Sequence, residues 1–114
     1  MALVLNVTDH WEDTKRIHIV GTLTASGNYP AGGDIAPFND QRIKSSQPPM
    51  MIELAQYSAS GDVTYTFVWV QGTTLANQKV KYITSATLAE LAAGAYPGTA
   101  LANPITFHAM FHKK

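Results

Sequence analysis

Apolar and polar positions alternate with a period of two through most of this chain. Ile17, Ile19, Gly21, Leu23 and Ala25 interleave with Arg16, His18, Val20, Thr22 and Thr24. Near the other end, Ile105, Phe107, Ala109 and Phe111 interleave with Thr106, His108, Met110 and His112. A period of two puts one set of side chains on each face of a β-strand, so both segments read as strands with one buried face. Leu3–Val7 repeats the pattern more briefly, and Met50–Tyr57 and Lys79–Thr84 repeat it again, the latter with Val80 and Tyr82 set against Lys79 and Lys81. Val63–Gln71 is rich in β-branched and aromatic residues and apolar on both faces, which predicts a strand that is central or covered on both sides. Ile35–Phe38 is a short strand limited by Pro37.

Between these runs lie turn signals. Thr8–Lys15 is polar and reads as a turn; Ser26–Asp34 is a loop by its Gly and Pro content; Ser58–Asp62 is a hairpin turn and Gly72–Gln78 another turn. Asn39–Pro49 is irregular and ends in Pro48-Pro49, which cannot donate ladder hydrogen bonds, so it reads as an extended arm or edge segment. Gly21 in mid-strand predicts a bulge or a closely approaching backbone. Thr87 and Glu90 have capping-box spacing, so a helical turn over 87–93 ending at Gly94 competes with an ordered coil. About seven short strands at regular spacing predict an all-β fold, a small antiparallel β-sandwich, jelly roll or β-barrel, as one domain over 1–114 with an irregular N-terminal arm and loops at 26–49.

Size and charge narrow the picture. A chain of 114 residues can bury roughly two-thirds of its surface, enough for one core without staples. It has no Cys, which removes disulfide, thiol and zinc-thiolate chemistry. Its formal net charge is +0, which argues against phosphate-driven nucleic-acid binding and against a polybasic membrane patch. Acids concentrate early, Glu90 being the only one after Asp62. Only 14% of residues are charged, against about a quarter in an average domain, a composition suited to a surface covered by another subunit. The opening Met1–Leu5 lacks a basic flank and is interrupted by Asn6, so it reads as a strand rather than a signal peptide.

Candidate chemistry is sparse. Asp9, His10, Glu12 and Asp13 cluster in the first predicted turn, but their spacing does not match an EF-hand loop. His108 and His112 would share a helix face, yet their segment has strand period, which sets them about 13–14 Å apart. There is no G-x-S-x-G elbow, and no helix follows the loop glycines Gly27, Gly32 and Gly33 to cradle a phosphate. Tyr57, Tyr65, Phe67, Trp69 and Tyr82 could stack bases or sugars, but their alternation also suits a sandwich core. Folding could still bring His18 beside His108 if the early and late strands are neighbours. The expectation is a protein that is not an enzyme, with no catalytic, cofactor or metal residues.

Read end to end, the stretches LVLNVTDHWEDTKRIHIVGTLTASGNYPAGGD, GTTLANQKVK, ELAAGAYP and ITFHAMFHKK resemble a family of small decoration, or cement, proteins that sit on the outside of tailed-phage heads. The resemblance implies a β-sandwich or jelly-roll module that oligomerises and clamps neighbouring subunits of the major capsid protein. It implies a location on the outer surface of the virion, assembled in the host cytoplasm, with no nucleic-acid or membrane partner. Low charge and the apolar Val63–Val70 strand point to a homo-oligomer, with a trimer expected over a dimer. Contacts to the capsid or between copies are expected from the irregular segments, through Leu3, Leu5, Val7, Tyr29, Pro30, Ile35, Phe38, Pro48 and Pro49. The alternative is a carbohydrate- or ligand-binding β-sandwich of tail or lectin type, for which an exposed aromatic cleft would speak.

Overall fold

A computed structural model describes residues 3–56 and 64–113. The expected Ser58–Asp62 turn, together with Tyr57 and Val63, lies outside the described residues. In chain order the elements are β1 (Val4–Glu12), β2 (Arg16–Thr24), β3 (Asn28–Tyr29), β4 (Asp34–Ala36), β5 (Met51–Gln56), β6 (Tyr65–Val70), β7 (Gln78–Thr84), β8 (Ala89–Glu90), β9 (Gly94–Ala95), α1 (Gly98–Ala102) and β10 (Ile105–His112). The fold is all-β and antiparallel. One sheet has the order β1-β2-β10-β5; a second has β7 paired with β6 on one side and with β4 and β8 on the other; β3 and β9 pair separately.

The two strongest alternations form the middle of the first sheet. Ile17, Ile19 and Leu23 on β2 and Ile105, Phe107, Ala109 and Phe111 on β10 are buried, and join Val80, Tyr82 and Tyr65 of the second sheet in one sandwich-like core. Gly21 is where the expected close approach occurs. A Cβ there would run into the carbonyl of Asn6 and the backbone of Val7, and β1 shifts register between Val7 and Asp9 opposite it. This bulge lets β1 continue to Glu12.

The expected Thr8–Lys15 turn is therefore corrected: only Asp13–Lys15 turn the chain. Asp13 Oδ1 accepts from the amides of Lys15 (3.0 Å) and Arg16 (2.8 Å), which closes the hairpin. Polar residues at the exposed end of an edge strand carry no apolar alternation, so they resemble a loop. The N-terminal segment is likewise no irregular arm. Leu3 is buried and donates its amide to the Ile35 carbonyl at 2.9 Å, and Val4–Glu12 pairs along β2.

Two other expectations change. Among the described residues β6 pairs with β7 alone, which places it last in the order β4-β7-β6 rather than at the centre of its sheet. Apolar content on both faces reports what covers the faces and says nothing of lateral position; Val68 on the outer face is exposed. The helical turn expected over 87–93 is replaced by the tight Thr84–Leu88 turn, closed by Leu88 N–H to the Thr84 carbonyl (2.8 Å), with Leu88 at φ 57 and β8 following. Glu90 spends its carboxylate elsewhere, accepting from the Tyr29 hydroxyl and the Gly32 amide, both at 2.7 Å. The short helix lies later, at Gly98–Ala102, started by Pro97, whose carbonyl accepts from Ala100 and Leu101.

The irregular stretch after β4 acquires a structural role. Phe38 is buried edge-on against Phe107 and Phe111, with ring centroids 5.4 and 5.6 Å apart, and Ile43 follows it inward. The stretch closes one end of the core before Met50 donates its amide to the Met110 carbonyl at 2.7 Å. At 6240 Å² the folded surface is close to the roughly 6,100 Å² expected for a compact chain of this mass.

Candidate functional site

The face of the first sheet turned away from the core carries the side chains that alternation sends outward. These are Val4, Asn6, Asp9 and Trp11 from β1, the even positions of β2 and β10, and Met51, Glu53 and Ala55 from β5. Val4, Trp11 and Met51 are 54%, 43% and 43% exposed, and Met50 beside them is exposed too. Formal charges are few on this face.

At its centre the topology places β10 against β2, which brings His18 and His108 together. His18 Nδ1 lies 3.2 Å from His108 Nε2, and His18 Nε2 lies 3.1 Å from Asp13 Oδ2. The Trp11 indole stacks on the His18 ring, with centroids 4.9 Å apart and planes 4° from parallel, and stands 5.6 Å from the His108 ring. The hydrogen bond from His18, joined by the amides of Lys15 and Arg16, holds the Asp13 carboxyl down at about 2. Beyond His108 the sheet dips into a shallow depression of about 220 Å³ bordered by Val20, Glu53, Thr106 and His108.

Strand geometry redistributes the acidic cluster read from the sequence. Asp9 and Trp11 point outward, His10 and Glu12 lie on the opposite face, and Asp13 sits in the turn. His108 and His112 stand opposite Val20 and Arg16 respectively, two outward positions apart. Trp11 and Asp13 were not singled out as partners of His18. The signal was present in the short Asp13-x-x-Arg16 turn, which makes the residues before it the first strand of a hairpin with β2.

The nine residues expected at contacts fall into three groups. Leu3, Tyr29, Phe38 and Pro49 are buried in the chain's own interior, while Leu5, Val7 and Pro48 are half-buried. Pro30 and Ile35 are exposed. Tyr29 is occupied by Glu90 and by the rings of Tyr82 and Tyr96. No family model, curated protein or solved structure matches the chain, so the geometry of this outward face and the resemblance of the sequence are what a functional reading rests on.

Proposed function

We propose that the chain is a decoration protein of a tailed-phage head, a homo-oligomer that binds the outside of the assembled lattice of major capsid protein and stabilises it. The observation that carries this reading is the broad outward face of the first sheet, where Val4, Trp11 and Met51 stand exposed with little formal charge. Exposed apolar side chains on one sheet face favour contact with another macromolecule: Trp11 and Met51 flank His18 and Met110 in one cross-strand row, and Val4 stands at the far end of β1. Such a protein stabilises a particle by binding assembled subunits better than separated ones, and symmetry repeats a modest contact many times. Among the described residues no strand pairs with the outer edge of β1, and its backbone groups are ones a partner strand can use.

The experiment is co-sedimentation of the purified protein with expanded heads of the phage that encodes it, beside unassembled capsid protein. The reading expects retention on heads only, with heads surviving more heat when loaded, and loss of retention in Trp11→Ser combined with Met51→Ser. A protein that stays in the supernatant with heads, or that captures oligosaccharides from an array, overturns it.

A further inference from the structure

His18 Nδ1 and His108 Nε2 face each other at 3.2 Å, and only one proton can occupy the line between them. Two imidazole nitrogens held this close can also serve as a pair of ligands to one metal ion set off the line between them. With metal–nitrogen bonds of 2.0–2.1 Å, nitrogens 3.2 Å apart subtend about 100° at the ion, close to the tetrahedral angle. The second partner of His18 fits the same role. Asp13 accepts from His18 Nε2, the carboxylate–imidazole arrangement that fixes the tautomer of metal-bound histidines and leaves the other nitrogen's lone pair free. The stacked Trp11 ring holds the His18 plane and shields one side of the pair.

The geometry points to a two-imidazole site for a late first-row divalent cation, bridging β2 to β10 through His18 and His108. Among the described residues no third His, Asp or Glu converges on the pair, so water completes the coordination. Affinity is therefore below that of a closed structural zinc site, and Cu²⁺ binds more tightly than Ni²⁺ or Zn²⁺. On binding, His108 carries its proton on Nδ1, and any extra proton shared by the two rings is released to solvent. Acid consequently competes with the metal. Because β2 and β10 are the two central strands of the sheet, occupancy stabilises the native chain by mass action. The site departs from the expectation of no metal residues, beside which the sequence left open that His18 could come to lie against His108.

The test uses untagged full-length protein. Cu²⁺ is titrated while electron paramagnetic resonance counts coordinating nitrogens and Trp fluorescence follows quenching of Trp11. In parallel, Zn²⁺ is added to the unmutated protein and the histidine ring resonances are followed by NMR. The expected result is one equivalent with a two-imidazole signature, perturbation of the His18 and His108 rings, and at least a tenfold loss of affinity in both His18→Ala and His108→Ala. His10→Ala and His112→Ala serve as controls and keep the signature. A native protein without the two-nitrogen signal, a signal that survives either substitution in the pair, or Zn²⁺ shifts confined to His10 and His112 overturns the assignment.

Discussion

Asp34 accepts the Tyr96 hydroxyl at 2.6 Å in a position that leaves the aspartate 1% exposed. Its other oxygen accepts from the Ile35 amide at 2.9 Å. The bond ties the β9 end of the chain to β4, across the aromatic cluster of Tyr29, Tyr82 and Tyr96. Burial and the neighbouring carboxylate push the Tyr96 phenol far above its ordinary value, which keeps it a donor to Asp34.

The cluster predicts a contrast between two conservative substitutions. Tyr96→Phe removes the donor from a buried acceptor and should cost about 1.5–3 kcal/mol. The Tyr82 hydroxyl is buried with no hydrogen-bond partner among the described residues, so Tyr82→Phe should be neutral within about 0.5 kcal/mol or slightly stabilising. Urea unfolding of the two variants measures both, and equal losses would contradict the assignment of partners.

Gly21→Ala should destabilise by about 1–3 kcal/mol, because the new methyl must displace the Asn6 carbonyl in a close-packed strand pair. The loss should be local. Hydrogen exchange should accelerate along Val4–Glu12 while amides between β2 and β10 keep their protection.

Core position separates two phenylalanines. Phe107 is enclosed by Phe38 and the inward face of β2, so Phe107→Ala should cost about 3–5 kcal/mol. From the sequence, Phe67 promises the same. In the fold it is half-buried, edge-on to Tyr82 at 5.0 Å, so Phe67→Ala should cost about half as much. Thermal or urea unfolding ranks them.

Asp13 supplies a pH dependence. Its folded value of about 2 lies below the ordinary 3.8, so the carboxylate contributes stability that is present above the ordinary value and lost as pH falls toward the folded one. Asp40, held at about 2 by its bidentate pairing with Arg42, contributes in the same window. Asp13→Asn should flatten, without abolishing, the fall in urea midpoint between pH 4 and pH 2.

Strand identity was legible where burial is one-sided. β2 and β10 carry full alternation because one face meets a core and the other does not, and their buried sets are the ones read from sequence. Positions set by other elements were not legible. The end of β1 has too few buried neighbours to imprint a pattern. The position of β6 in its sheet depends on which strand pairs beside it. The fate of Glu90 depends on Tyr29, 61 positions away. The meeting of His18 with His108, 90 positions apart, was open as a possibility, since only the pairing of β2 with β10 decides it.

That pairing also sets an order of events. In the sequence β1-β2-β10-β5, the strand Ile105–His112 stands between the N-terminal hairpin and β5. Until it has left the ribosome, the hairpin has a bare second edge and β5 has, among the described residues, no neighbour in its sheet. The core cannot close cotranslationally from the N-terminus onward. A nascent chain halted before residue 105 should therefore remain protease-sensitive throughout, and folding should wait on a contact that spans nearly the whole chain, which places this small domain among the slow folders for its size.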